Sequence, residues 1–254
     1  MIDSARGSLK SRHYDASFFA SEGPGASFQS ARIVVPIVIS LLRPRSVVDV
    51  GCGSGAWLSV FRENGVERIL GLDGGYVDPS WLVIPKECYR AVDLGKPFHV
   101  DGEFDLAICL EVAEHLPKKC APDLVRRLVN LAPVVLFSGA VPFQGGVHHV
   151  NEQWPEFWND LFSQNGYRAL DLIRKQTWKN PDVKYWYRQN MFLFVLEELV
   201  QSNPVFLEAT RDAEDLMLVH HSILRRQMGL RSMLKQLPRS IWDAGSRRLK
   251  IIFK

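Results

Sequence analysis

Residues 47–55 place an acid directly before three glycines, a pattern that can hold a small molecule. The segment reads VVDVGCGSG, so that Asp49 lies in a valine-rich run and Gly51, Gly53 and Gly55 follow at alternate positions. The β-branched residues favour a strand that is covered on both faces. Glycine tolerates positive φ and lets a ligand approach the backbone without meeting a Cβ. The segment therefore predicts a strand that enters a cofactor-binding loop.

A second acid ends another apolar strand, 18 residues after the last of these glycines. Residues 69–72 predict the strand, and Asp73 closes it. An acid about 20 residues beyond a glycine-rich loop accepts hydrogen bonds from ribose hydroxyls in cofactor sites. A helix predicted over residues 56–63 directs its N-terminal amides to the same place. Together these features predict a cofactor that carries a ribose.

The spacing and the acids distinguish between two classes of cofactor. Dinucleotide sites use GxGxxG, and their fingerprint also tolerates an alanine such as Ala56 at its last position. The leading acid argues for the other class, because Asp49 disfavours a nearby pyrophosphate and suits a cationic or zwitterionic ligand. Two further strands end at Asp93-Leu94 and at Glu111.

Four motifs in order across residues 46–117 resemble those of class I S-adenosylmethionine-dependent methyltransferases, including the sequence E-V-A-E-H after the fourth strand. The resemblance implies an α/β fold: a doubly wound, Rossmann-like seven-stranded sheet with helices on both faces and its last strand antiparallel. It also implies that S-adenosylmethionine is the cofactor and that Asp93 and Leu94 contact its adenine. The predicted cofactor-binding residues are Asp49, Gly51, Gly53, Gly55, Asp73, Asp93, Leu94 and Glu111.

The chain divides into three predicted segments. Residues 1–44 form an arm and a helix, which the resemblance places over the cofactor site. Residues 45–200 form the cofactor-binding domain, and residues 201–254 form a basic helical extension. Within the first segment, Ser27 is expected to cap a helix over residues 28–42, with Ile33, Ile37 and Leu41 on its buried stripe. The aromatic cluster Tyr14, Phe18 and Phe19 suits either core packing or the lining of a pocket.

Candidates for catalysis lie after the fifth strand, in the loop of residues 141–154. Substrates of open α/β sheets bind outside the carboxyl ends of the strands, and His148 and His149 are the imidazoles of this loop. Adjacent side chains of an extended loop point in opposite directions, so at most one of them is expected to face the acceptor. His115 is the competing candidate for a general base. The expected acceptor is an oxygen or nitrogen atom of a small molecule or a glycan-like molecule.

The composition is typical of a soluble enzyme. Hydrophobic residues make up 46% and charged residues 23% of the 254 residues, both ordinary globular values. No apolar run approaches the roughly 20 residues of a membrane-spanning helix, and the first residues lack the apolar core of a secretory signal. The cysteines Cys52, Cys88, Cys109 and Cys120 lack metal-binding spacing. We therefore expect a cytoplasmic protein with free thiols and no metal site.

The C-terminal extension leaves alternatives open. Residues 225–254 hold nine Lys or Arg residues and one acid, a net charge of +8. This stretch could bind an anionic partner or pack against a second subunit. One alternative function is a nucleic-acid methyltransferase that uses this tail, although residues 109–112 lack the Asn/Asp-Pro-Pro-aromatic motif expected of an amino-methylating DNA enzyme. The other alternative is a non-catalytic protein that binds S-adenosylmethionine.

Overall fold

The computed structural model describes residues 24–210, 216 and 218–222. The chain divides into two compact units, residues 1–218 and 219–254, and the described fold belongs to the first. The segment boundaries predicted at residues 44 and 200 remain predictions. The aromatic cluster at Tyr14, Phe18 and Phe19 and the basic stretch 225–254 lie outside the described residues.

A seven-stranded sheet forms the centre of the first unit. In chain order its strands are β1 Ser46–Val50, β2 Arg68–Asp73, β3 Tyr89–Ala91, β4 Leu106–Leu110, β5 Val134–Ser138, β6 Tyr167–Leu170 and β7 Phe192–Leu196. In space they follow the order β3-β2-β1-β4-β5-β7-β6. β1 to β5 pair in parallel, and β7 runs antiparallel to both β5 and β6. The predicted doubly wound sheet with an antiparallel last strand is confirmed.

Helices accompany this sheet on both faces. They are α1 Pro24–Leu42, α2 Ala56–Glu63, α3 Ala121–Leu131, α4 Pro155–Ser163, α5 Arg174–Thr177, α6 Tyr185–Asn190, α7 Glu197–Ser202 and α8 Pro204–Thr210. Of the described helices, none is both long enough and apolar enough to pass through a membrane. The bounds of α2 agree with the predicted helix over residues 56–63.

Alternate residues of the central strands supply the two cores. Successive side chains of a strand point to opposite faces. Val47 and Ile108 pack with α1 and α2 on one face, whereas Val48 and Cys109 pack with α3 and α4 on the other. Because both faces are covered, β1, β4 and β5 lack the regular alternation of apolar and polar residues, and Ser46, Asp49 and Ser138 are their only polar residues.

Two local predictions need correction. Ser27 lies inside α1, which is already helical at Pro24, and its hydroxyl is 3.4 Å from that of Tyr187. It therefore does not cap this helix. The fully buried stripe of α1 is Ala31, Val34, Val35 and Val38, and the predicted residues Ile33, Ile37 and Leu41 are only partly buried. Since α1 is apolar around most of its circumference, its periodicity could not identify the buried face.

The sequence predicts the sixth strand near residues 167–174, but β6 ends at Leu170 and a buried ion pair follows it. Arg174 is 1% exposed, and its guanidinium donates to both carboxylate oxygens of Asp171 at 2.6 and 3.0 Å. It also donates to the carbonyl of Gln189 at 3.1 Å. The pair thus connects the end of β6 to α6, the helix that carries Asn190.

We expect Asp171→Ala to lower the free energy of unfolding by about 3–5 kcal/mol, because it leaves a buried guanidinium without its carboxylate. Asp123→Ala is the matched control. It removes the carboxylate of another Asp–Arg pair at the same sequence spacing, in which both side chains are more than half exposed. Exposed pairs contribute about 0–1 kcal/mol. Urea unfolding followed by circular dichroism measures both, and equally small losses would contradict the structural role of the buried pair.

Candidate functional site

The carboxyl ends of β1 and β4 lie side by side where the strand order reverses. Open α/β sheets bind ligands in the crevice outside the strand ends at such a switch point. The glycine loop leaves β1 at this edge, and Glu111 follows β4 directly. The topology therefore brings two separately predicted groups of residues to one place.

The glycine loop is held in a conformation that favours glycine at all three positions. Gly51, Gly53 and Gly55 have φ values of 93°, 53° and 85°. A Cβ on Gly51 would lie 2.3 Å from Val112, and one on Gly55 would lie 2.8 Å from Ile84. At these two positions the absent Cβ makes room for protein side chains. The predicted approach of a ligand to the backbone of this loop stays a prediction.

Asp73 ties the glycine loop to the end of β2. One carboxylate oxygen accepts from the backbone N–H of Gly53 at 2.7 Å. The other accepts from the N–H of Gly74 at 2.6 Å and from the Tyr76 hydroxyl. Burial raises the pKa of Asp73, and these donors partly offset the rise. A carboxylate offers about four lone-pair positions, so acceptor capacity is left for a ribose hydroxyl.

Asp49 is buried without such donors. Its carboxylate is 3% exposed and accepts no hydrogen bond from the described part of the chain. Burial, and then the charge of Asp73, raises its pKa well above the usual range. Burial, and then the charges of Asp49, Glu114 and Asp73, also raises the pKa of the nearby Cys109 thiol. This edge of the sheet therefore concentrates buried carboxylates and favours a cationic ligand.

Glu111 begins a strained turn after β4 and is already engaged by the protein. Its φ is 56°, a left-handed value that is uncommon outside glycine. Its carboxylate accepts from the side-chain amides of Gln144 at 2.7 Å and Asn190 at 3.0 Å. Asn190 also donates to Gln144 at 2.8 Å. Glu111 thus joins the turn to the loop after β5 and to α6, and its predicted contact with the cofactor stays a prediction.

Glu114 is the most deeply buried carboxylate of the site, with no exposed surface. Neither of its oxygens makes a hydrogen bond of normal geometry among the residues described. Burial, and then the charge of Glu111, raises its pKa well above the usual range. The backbone N–H groups of Glu114 and Ala140 face the carboxylate and lower this pKa in part, without reaching hydrogen-bond geometry.

Backbone hydrogen bonds hold the loop after β5 against the turn after β4. The carbonyl of Glu114 accepts from Val150 N–H at 2.8 Å and from Asn151 N–H at 3.1 Å. The buried Asn151 amide donates to the carbonyl of Ala113 at 3.2 Å. These bonds fix the position of the histidines that directly precede Val150.

The structure separates the two adjacent histidines. His148 is exposed, with φ of 60°, whereas His149 turns inward with a side chain that is 12% exposed. Its Nδ1 lies 3.1 Å from Glu152, and its ring meets that of His115 edge to face at 5.0 Å. Burial, and then the charge of His149, lowers the pKa of His115 to about 4. The rings of His115 and His149 therefore lie together, whereas His148 faces His115 with its backbone and has an exposed side chain.

Glu152 organises the loop around His149. One of its oxygens accepts from Gly145 N–H at 2.7 Å as well as facing the imidazole, and the other accepts from Phe143 N–H at 2.9 Å. Burial alone would raise the pKa of Glu152, but the hydrogen bonds outweigh burial and lower it. Gly146 packs so closely that an added Cβ would lie 2.1 Å from Nε2 of His149.

The sequence placed Asn151 and Glu152 in the predicted acceptor loop, but four further residues of this region were not among the predicted site residues: Tyr76, Glu114, Gln144 and Asn190. The spacing of three residues between His149 and Glu152 could have suggested their contact. Asn190, by contrast, is 79 residues from Glu111, and nothing in the sequence connects them. Of the residues predicted to contact adenine, Leu94 is buried, and Asp93 is an exposed partner of Lys96 at 3.4 Å. Their role stays a prediction.

Comparisons with known proteins identify the family and support the fold. A family model described as a methyltransferase domain matches residues 30–180, more than half of the chain. A search of curated proteins by sequence found no match. Among solved structures, the plantazolicin methyltransferase BpumL in complex with a pentazolic desmethylPZN analog and SAH is 15% identical, with a TM-score of 0.51, over 76% of this chain and 92% of that one. This likeness supports the fold.

Two further solved structures are similar over shorter stretches. The methyltransferase domain of bacterial CtHen1-CN is 19% identical, with a TM-score of 0.49, over 66% of this chain and 98% of that one. Human N-acetylserotonin methyltransferase in complex with SAM is 16% identical, with a TM-score of 0.47, over 71% of this chain. The match covers 58% of the human protein, so this chain spans only part of its length.

We expect Gly51→Ala to destabilise the protein more than Gly65→Ala. The two glycines have nearly equal φ values, 93° and 92°, so backbone strain is matched. A Cβ on Gly65 meets nothing within 4 Å, whereas one on Gly51 meets Val112 at 2.3 Å. Overpacking adds about 1–3 kcal/mol to the loss at Gly51. Urea unfolding measures the difference, and equal losses would show that Val112 does not constrain the loop.

Proposed function

The chain belongs to the methyltransferase domain family and uses S-adenosylmethionine, and from that premise we propose that it methylates an oxygen or nitrogen atom of a small-molecule acceptor. The observation that carries this proposal is the contact between Val112 and Gly51. Through it, the segment that holds His115 lies directly against the glycine loop. The proposed cofactor site, at the glycine loop, and the proposed acceptor site, at His115, are therefore next to each other.

The residues at the edge of the sheet fit this cofactor. Asp73 keeps acceptor capacity for ribose hydroxyls, and Gly53 offers backbone in the loop beside it. Asp49, a buried carboxylate without a hydrogen-bond donor among the described residues, suits a positively charged group. Asp93 and Leu94 are assigned to the adenine from the motif order alone.

The chemistry needs little from the protein beyond positioning. S-adenosylmethionine supplies a methyl group on a positively charged sulfur, which becomes a neutral thioether as an acceptor lone pair forms the new bond to the methyl carbon. The protein aligns the acceptor and excludes water. A hydroxyl or protonated amine must also lose a proton. His149 is our candidate for easing that loss, because Glu152 orients its imidazole beside His115.

The loop after β5 also presents an apolar surface to the acceptor. Phe143, Val147, Val150 and Trp154 are between 37% and 64% exposed, although they are large hydrophobic residues. They surround the His149 segment in the sequence and would be covered by an acceptor with an apolar part. Exposed apolar residues at a site commonly mark a binding surface. This favours an amphipathic small molecule over a nucleic-acid backbone.

Asp73→Ala should weaken the binding of S-adenosylhomocysteine about 10- to 100-fold, the cost of about 1.5–3 kcal/mol for a lost charge-assisted hydrogen bond. Tyr76→Phe is the control, because it removes one donor to Asp73 and keeps the carboxylate. Gly53→Val should weaken binding further by adding a branched side chain to the loop. Isothermal titration measures all three, and wild-type affinity in folded Asp73→Ala protein would refute the assignment.

His149→Gln should keep cofactor affinity and lower turnover by about 10²- to 10⁴-fold, the usual contribution of a group that handles the acceptor's proton. His148→Gln is the matched control, since that imidazole is exposed and the substitution keeps the backbone that faces His115. The acceptor is first identified by mass spectrometry of small-molecule extracts incubated with methyl-labelled S-adenosylmethionine. Initial rates then compare the variants. Full turnover in His149→Gln would remove the acceptor site from this loop.

A further inference from the structure

We propose that Glu114, His115 and His149 bind a divalent transition-metal ion that holds the acceptor hydroxyl for methylation. One ligand atom from each of these side chains lies within 4.8 Å of the others. Zinc, as an example, binds imidazole nitrogen and carboxylate oxygen at about 2.0–2.2 Å. Small adjustments of the side chains would bring all three atoms to that distance from one ion. The inference rests on the proposed function, because it concerns the same acceptor site, and in it His149 eases the loss of the acceptor's proton as a metal ligand and not as a base.

The strongest indication is the unsatisfied carboxylate of Glu114. It has no exposed surface, and neither oxygen makes a hydrogen bond of normal geometry within the described residues. Buried polar groups are nearly always hydrogen-bonded, and buried charges are paired or coordinate a metal. The neighbouring Glu111 carboxylate carries the same sign, raises the pKa of Glu114 by its charge and by facing it without normal hydrogen-bond geometry, and itself accepts from Gln144 and Asn190. A cation supplies the charge that this cluster lacks.

His149 has a carboxylate next to the ring nitrogen that would not bind the metal, as metal-binding histidines usually have. Its Nδ1 faces the Glu152 carboxylate at 3.1 Å, and we assign the ring proton to that nitrogen. The lone pair is then on Nε2, the atom available to a metal. A carboxylate that accepts from the second nitrogen fixes the tautomer and raises the basicity of the ligand. Glu152 is itself held by two backbone N–H groups, so this arrangement is rigid.

The backbone positions the ligands before any ion arrives. Glu114 and His115 are adjacent in the turn after β4, and His149 directly precedes Val150. The N–H groups of Val150 and Asn151 both donate to the carbonyl of Glu114. The third ligand is therefore tied to the first through hydrogen bonds of 2.8 and 3.1 Å, and side-chain rotation alone can complete the site.

The donor set indicates which ions would bind. Two imidazoles and one carboxylate suit Zn²⁺, Co²⁺, Mn²⁺ or Fe²⁺, whereas Mg²⁺ and Ca²⁺ prefer oxygen ligands throughout. Three protein ligands leave at least one coordination position open. An acceptor hydroxyl bound there loses its proton to water more readily, because the ion lowers its pKa. The oxygen lone pair then forms the bond to the methyl carbon as the carbon–sulfur bond breaks.

Cobalt(II) is a suitable probe, because its visible absorption reports direct coordination. Protein treated with EDTA and dialysed should bind one equivalent of Co²⁺, and turnover should fall in EDTA and return when metal is added. Glu114→Gln and His149→Gln should abolish the Co²⁺ spectrum. Glu152→Gln should weaken Co²⁺ binding about 10- to 100-fold, the usual loss when a residue that hydrogen-bonds a metal ligand is replaced. His148→Gln should bind Co²⁺ like the wild type.

Binding of S-adenosylhomocysteine shows that each variant is folded and separates the two proposals. If Glu114→Gln does not fold, His115→Gln tests the same loss of a ligand. Wild-type protein that binds S-adenosylhomocysteine and turns over in EDTA, without a Co²⁺ spectrum, would overturn the metal site and leave the proposed function intact. An unchanged Co²⁺ spectrum in both ligand variants would also overturn it. Wild-type protein that fails to bind S-adenosylhomocysteine would instead refute the proposed function.

Discussion

The burial of carboxylates along one edge of the sheet is the constraint on which the site depends. Asp49, Asp73 and Glu114 are each less than 5% exposed, and burial raises the pKa of all three. A buried carboxylate needs hydrogen-bond donors or a cation. Asp73 obtains donors from the loop that it holds. Glu114 has none of normal geometry among the described residues, and burial is the largest cause of the raised pKa of both Asp49 and Glu114, so each favours either a bound proton or a nearby cation.

The glycine loop, the turn after β4 and the loop after β5 are in direct contact. Val112 fills the space beside Gly51, and the next turn of chain carries Glu114 and His115. The carbonyl of Glu114 in turn holds the loop that carries His149. A displacement of the glycine loop would therefore be transmitted to the acceptor side through packed side chains and backbone hydrogen bonds.

Much of the fold could be predicted because its strands are buried on both faces. Continuous apolar runs ending in acids identified the central strands, and the bounds of α2 followed from the glycine loop. The buried face of α1 could not be predicted, because apolar residues surround most of that helix. The end of β6 was missed because it depends on the ion pair of Asp171 with Arg174 and on the contact of Arg174 with Gln189.

The sequence by itself determined the cofactor loop, since glycine is the residue that readily adopts positive φ and Asp73 follows at the spacing of a ribose acceptor. Only the tertiary structure decided which of the two adjacent histidines is buried beside His115. His148 and His149 are equivalent in type and position along the chain, but hydrogen bonds from Val150 and Asn151 to Glu114 turn His149 inward. The same holds for Glu114: its identity is visible in the sequence, whereas its burial without donors of normal geometry arises from chain segments that meet only in the folded protein.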